Sequence, residues 1–288
     1  MSSFQEQLGA LLFRDDLLLE DIHTAQKLKY SKIPKSLYKY RALNKHSIKN
    51  LKERSLFCTT ANAFNDPYDC AVNFTTGSIL ENKKTHKLLN EIEKDSIDQK
   101  DRIIEFLRKS SAQQNDEHVE KLNKTIQSMY KICSLSERVD SLLMWGHYAS
   151  NHTGFAMEYD FSSLPEDHIM SLLLWPVFYG KKIYDVSGIV NSDKKEGINN
   201  LFIVASAMHK ALDWEYEKEW RIIIPEGPDT QSRSLLAPLT AIHIGSKANK
   251  KDEVELLEMA SELGIPAYKM KLSRTDYKME SILRQQPS

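Results

Sequence analysis

Cysteine is scarce in this chain. Three stand among 288 residues, Cys58, Cys70 and Cys133, and no two form a Cys-x-x-Cys pair. An odd, sparse set fits a reducing cytoplasm and offers no structural zinc site. An excess of one charge is also missing. Lys and Arg number 39 against 40 Asp and Glu, a net charge of −1, which argues against a strongly basic nucleic-acid binder and leaves room only for a local patch. No apolar run approaches the roughly 18 residues of a membrane span. The opening residues, Met1-Ser2-Ser3-Phe4-Gln5-Glu6-Gln7, carry no basic region followed by an apolar core, so no secretory signal is expected. The common fingerprints are absent too: no GxGxxG, no P-loop GxxxxGK[ST], no GxSxG elbow and no HExxH. His147 and His152 stand in a helix-to-turn region at a spacing unlike that of metal ligands. These absences remove the simple assignments without removing an enzyme.

What remains is ordinary globular material. Hydrophobic residues make up 41% and charged residues 27%, and a chain of this length can bury a full core. Residues 1–34 read as an N-terminal helical appendage, with Leu8, Leu11, Leu12, Leu17, Leu18 and Ile22 as its apolar stripe and Asp15-Asp16 as a cap between two helices. Residues 35–288 read as a single α+β domain. Strands are expected at 37–41, 55–59, 131–136, 154–159, 239–245, 267–272 and 277–282, and a strand pair at 171–180 and 182–186. Helices are expected at 45–54, 196–212 and 252–263, with a short one before Tyr148. Polar residues of helical pattern at about 79–130 read as an insertion. The Asn65-Asp66-Pro67 sequence is turn chemistry. Strands and helices interleave irregularly, which favours α+β over a doubly wound sheet.

One stretch concentrates the chemistry: Trp214-Glu215-Tyr216-Glu217-Lys218-Glu219-Trp220-Arg221, running into Ile222-Ile223-Ile224. Strand alternation puts Glu219, Arg221 and Ile223 on one face and Trp220, Ile222 and Ile224 on the other. Acids and a guanidinium at the mouth of a strand suit a site. They equally suit a surface pair between Glu219 and Arg221.

Four blocks resemble an uncharacterised bacterial family catalogued as domain of unknown function 2971: Leu37-Tyr38-Lys39-Tyr40-Arg41, Phe64-Asn65-Asp66-Pro67-Tyr68-Asp69, Trp145-Gly146-His147-Tyr148-Ala149 with His152-Thr153-Gly154-Phe155, and Glu217-Lys218-Glu219-Trp220-Arg221. More loosely, the chain is similar to the ADP-ribosyltransferase superfamily. Arg41 matches its first motif, Tyr148 its second and Glu217-Lys218-Glu219 its third. That resemblance implies a mixed or antiparallel, split central sheet and an enzyme that cleaves NAD, its substrate, and passes ADP-ribose to a macromolecule, protein or nucleic acid. Glu219 or Glu217 would be catalytic. Arg41, Tyr40, Tyr148, His147, His152, Asn65, Asp66 and Arg221 would bind the dinucleotide. No metal is called for. Toxin action or anti-phage defence in a bacterial cytoplasm, with a defence-system partner and no membrane, is the biology it suggests.

The chemistry wants these residue types. Breaking the bond between nicotinamide and ribose builds positive charge on an oxocarbenium-like sugar, which a carboxylate stabilises as in glycoside cleavage. An Arg answers pyrophosphate with a fork of donors, and aromatic faces stack on rings. Two other readings use the same residues. Asp66, Asp69, Glu217 and Glu219 could converge on Mg²⁺ in a nuclease. Alternatively the chain is a non-catalytic sensing module that binds a partner through its helices.

Overall fold

The computed structural model describes residues 3–14, 17–73, 120, 123–124, 126–185, 201–225 and 233–286. Helix α1 (Phe4–Leu12) opens on a capping box. Ser3 Oγ accepts from the Glu6 N–H at 3.2 Å, and the Glu6 carboxylate accepts from the Ser3 N–H at 2.7 Å. Helix α2 (Leu19–Tyr30) opens on Asp21, which accepts from the Leu18 N–H at 2.9 Å. The expected Asp15-Asp16 cap lies outside the described residues. Both helices pack on the sheet. Phe4 stacks over Trp220 with centroids 6.3 Å apart, and Phe13 meets Phe178 edge-on at 4.8 Å. Lys29 is buried, with Nζ donating to the Ser171 carbonyl at 2.7 Å and lying 4.0 Å from the Trp175 ring.

The chain then forms β1 (Leu37–Arg41), α3 (Lys45–Lys52), β2 (Ser55–Cys58), a 3-10 turn at Ala61–Ala63 and β3 (Val72–Asn73). There follow β4 (Tyr130–Ser136), α4 (Leu142–Tyr148), β5 (Phe155–Tyr159), a 3-10 turn at Phe161–Ser163, α5 (Ile169–Leu173), β6 (Leu174–Pro176), β7 (Phe178–Gly180) and β8 (Tyr184–Asp185). After α6 (Leu201–Ala207) come β9 (His209–Ala211), a 3-10 turn at Leu212–Glu217, β10 (Glu219–Pro225), β11 (Arg233–Leu236), β12 (Leu239–Ile244), α7 (Lys250–Leu263), β13 (Ala267–Leu272) and β14 (Met279–Gln285).

The result is a mixed α+β architecture. Eight strands form the central sheet in the order β14-β13-β12-β5-β1-β4-β10-β6, and only β12 and β13 run parallel. Strand β10 is buried on both faces. Trp220, Ile222 and Ile224 join one core cluster with Leu37, Leu135 and Leu256 of α7, whereas Ile223 joins another with Tyr130 and Trp175. The expected alternation of β10 therefore holds. One junction in the sheet is thin. Strands β4 and β10 pair over seven registered positions and β1 and β5 over five, but β1 meets β4 only at Tyr38↔Ser136. Beyond that point β1 and β4 part.

Two expectations change. The stretch at 171–180 is not one strand. His168 Nδ1 accepts from the Met170 N–H at 3.2 Å and starts α5. The short strands after it do not pair with each other: β7 pairs with β9, and β8 with β3. Of the helix expected at 196–212, only α6 is helical among the described residues, and β9 follows it. The insertion expected at about 79–130 falls almost entirely outside the described residues.

Two glycines let the sheet close beside α4. A Cβ on Gly154 would sit 2.1 Å from the Arg41 carbonyl oxygen, and one on Gly245 would sit 2.2 Å from the His152 carbonyl oxygen. Neither distance is physically accessible, so glycine at both points is a steric requirement.

Candidate functional site

Where β1 and β4 part, a cleft of about 620 Å³ opens, within the about 300–1,000 Å³ usual for small-molecule sites. Strand β1 supplies Tyr38, Lys39, Tyr40 and Arg41, the loop after β2 supplies Asn65 and Asp69, and β4 supplies Ser134 and Ser136. Helix α4 supplies His147 and Tyr148, and Lys210, Glu217 and Glu219 close the floor. Sequence reasoning named seven of these as NAD-site residues, Tyr40, Arg41, Asn65, His147, Tyr148, Glu217 and Glu219, and Asp69 as a candidate metal ligand.

Local folding explains how they converge. Ser141 caps α4 through Oγ, and Trp145 anchors it by donating to the Val139 carbonyl at 2.7 Å. The 3-10 turn delivers Glu217, Lys218 then takes a left-handed conformation (φ 44°), and β10 begins at Glu219. Both carboxylates thus face Lys210. Ser136 Oγ holds the turn by donating to the Glu217 carbonyl at 2.5 Å.

The floor is a buried charge network. Arg221 has five N–H donors, and all are used. Nε and Nη2 donate to Glu219 at 2.8 and 3.1 Å, Nη1 and Nη2 to Asp69 at 2.6 and 2.8 Å, and Nη1 also to the Ala207 carbonyl at 2.8 Å. Lys210 Nζ donates to Glu217 at 2.5 Å and to Glu219 at 3.1 Å. Tyr148 donates to the other Glu217 oxygen at 2.6 Å, and Asn65 hydrogen-bonds the Tyr148 hydroxyl. The surface pair imagined for Glu219 and Arg221 is in fact buried, with side chains 3% and 0% exposed.

These neighbours set the two glutamates apart. Burial pushes Glu219 up, but Arg221 and then Lys210 outweigh it and hold the carboxyl far below its ordinary value. In Glu217 burial and then the Glu219 charge push the same way, and Lys210 and Tyr148 only partly offset them, so its carboxyl titrates above the ordinary range. Burial lowers Lys210, but Glu219, Glu217 and Asp69 raise it further, so it stays a cation. Above this floor, Lys39 donates to the Ser134 carbonyl at 2.7 Å, and Arg41 Nε is buried with no hydrogen-bond partner. An unpaired buried donor beside a cleft is costly unless a ligand satisfies it.

Three of the expected contact residues, Arg221, Asp66 and His152, do not line the cleft. Arg221 lies behind the floor with every donor committed and none left for a ligand. Asp66 is a turn residue: Oδ1 accepts from the Tyr68 N–H at 2.9 Å, and the side chain does not line the cleft. His152 sits outside the cleft in a turn where Ser150, Asn151 and His152 all have positive φ. The acids proposed to hold Mg²⁺ do not all meet. Asp69, Glu217 and Glu219 converge, but Lys210 and Arg221 already neutralise them, and among the described residues no group of three or more His, Cys, Asp or Glu is disposed to hold a metal. Sequence reasoning missed Lys210 because it fell in a stretch read as helix. Lys39 was in view: strand alternation puts it on the Arg41 face of β1.

Residues 144–222 match a family described as Protein of unknown function (DUF2971). The match covers α4 through most of β10, the segment that supplies His147, Tyr148, Lys210, Glu217 and Glu219. No curated protein and no solved structure matches the chain.

Proposed function

We propose that the chain cleaves NAD in the cleft between β1 and β4 and transfers ADP-ribose to a macromolecule, in toxin action or anti-phage defence. One juxtaposition carries the reading. Glu217, a buried carboxylate held by Lys210 and Tyr148 and raised above its ordinary value, shares a cleft with the unpartnered Arg41 Nε and with the rings of Tyr40 and Tyr148. Arg41, with Lys39 beside it, grips the pyrophosphate. Tyr148 packs the nicotinamide, and Asn65 and His147 line the approach. As the C–N bond to nicotinamide breaks, its electron pair leaves with the ring, and positive charge develops on the ribose. Glu217 stabilises that charge and takes the proton of the incoming acceptor hydroxyl or water. Glu219 does not touch substrate in this scheme. It holds Lys210 and Arg221 in place and keeps Glu217 from ionising too readily.

The test is nicotinamide release from NAD, followed against pH, beside Glu217→Gln. The expected result is turnover that falls about 10²–10³-fold in the variant, as for loss of one transition-state contact. In the wild type the acid limb should lie above the ordinary carboxylate value, because Glu217 must be ionised and its carboxyl is raised. No release and no thermal stabilisation by NAD, from folded protein, would sink the reading. A biological effect that survives Glu217→Gln would favour the sensing module.

A further inference from the structure

Two of the three cysteines face each other under the cleft. Thr59 and Ile132 exchange both backbone hydrogen bonds, Thr59 N–H to the Ile132 carbonyl at 3.1 Å and Ile132 N–H to the Thr59 carbonyl at 2.7 Å. In an antiparallel ladder the next position is then a non-hydrogen-bonded pair, with Cα atoms about 4.5 Å apart. Here that pair is Cys58 and Cys133. The Thr59–Ile132 bridge is isolated; an ideal ladder continued by one residue gives a spacing within the about 4.4–6.8 Å that a disulfide spans. Both side chains are buried in the main core cluster, and Cys58 hydrogen-bonds the Cys133 sulfur. Thr59, Ile132 and Ser134, their immediate neighbours, line the cleft, while the two thiols point to the core side of the same strands.

The surroundings make the two kinds of cysteine unequal. The hydrogen bond from Cys58 draws the Cys133 thiol down to about 6. Burial opposes it, and Lys39 and Arg41 add to the lowering. Cys70 is the contrast. Burial and then Asp69 push its thiol well up, and it donates to the Asp69 carboxylate at 3.4 Å. Thiolate, not thiol, is the nucleophile.

We propose that Cys133 and Cys58 are a dithiol oxidised by hydrogen peroxide to a cross-strand disulfide joining β2 to β4 beneath the cleft. The Cys133 thiolate attacks one peroxide oxygen, the O–O bond breaks, and the departing hydroxide leaves as water after taking a proton. Cys58 sulfur then attacks the Cys133 sulfenic acid. The S–S bond forms, the S–O bond breaks, and the second hydroxide leaves with the Cys58 proton as water. Two thiols are oxidised and one peroxide becomes two waters. This site is independent of the NAD reading.

The experiment treats native full-length protein with hydrogen peroxide, blocks remaining thiols and maps the peptides without reduction. The expected product is an intramolecular Cys58–Cys133 link with Cys70 still alkylatable, reversed by dithiothreitol. In Cys58→Ser, which lacks the resolving thiol, dimedone should tag Cys133, whereas Cys133→Ser should leave Cys58 untagged. Wild-type protein that shows no Cys58–Cys133 link, or that links Cys70 or forms intermolecular bridges as readily, would overturn the proposal. The wild-type map needs no variant, so failure of a serine variant to fold does not blunt the test.

Discussion

Glu217 and Glu219 stand two residues apart and share one lysine, yet their surroundings drive them in opposite directions. Glu219 accepts from Arg221 through both oxygens and from Lys210, and it is the better-held partner of the network. Breaking a buried ion pair by deleting one charge costs about 3–5 kcal/mol, because the remaining charge stays buried. Glu219→Gln should therefore lower the unfolding free energy by that order, read as a fall in the urea midpoint, and Glu217→Gln by clearly less, since a glutamine oxygen can still accept from Tyr148. The sequence showed both acids and their arginine. It could not show which glutamate was committed, because that depends on Asp69 and Lys210, remote in the chain and adjacent only in the fold.

At the scale of elements, local periodicity served well where a strand's own face pattern decided its burial. Strand β1 was expected at 37–41 and β13 at 267–272, and both form at those bounds. Reading failed where partners decide. The apolar run around Leu172, Leu173 and Leu174 suits either helix or strand, and the His168 cap tips its start to helix. The α2 helix raises a different matter. Burial lowers the Lys29 ammonium to about 7, while Glu166 pulls weakly the other way. The unfolded chain, with Lys29 near its ordinary 10.5, binds the extra proton throughout the interval from about pH 7 to pH 10.5. Stability must therefore rise with pH across that interval. Thermal melts at pH 7 and pH 9 should show this rise in wild type and a flatter response in Lys29→Met, which keeps the stem packed on Trp175 without the titrating group.

For the whole molecule, near neutrality hides a local imbalance. The net charge is −1, yet Lys39 and Arg41 stand together on β1 above acids that already have their own cations. Binding of an anionic dinucleotide should accordingly weaken as salt rises, because surface-accessible attraction is screened over about 8–10 Å, and Arg41→Gln should weaken binding and flatten that dependence in a titration. The cleft itself was not legible from the sequence. It exists because β1 and β4 are neighbours that barely pair, a property of how a whole sheet closes. That thin junction has a mechanical meaning. The eight strands divide into two leaves joined in register at Tyr38 and Ser136. Arg41 rides on one leaf, and Glu219 and Ser134 ride on the other. Swinging the leaves breaks one rung of pairing, whereas a similar motion anywhere between β4 and β10 would tear seven. Arg41 and the acid floor thus stand on either side of the junction that the fewest ladder pairs hold, a single one.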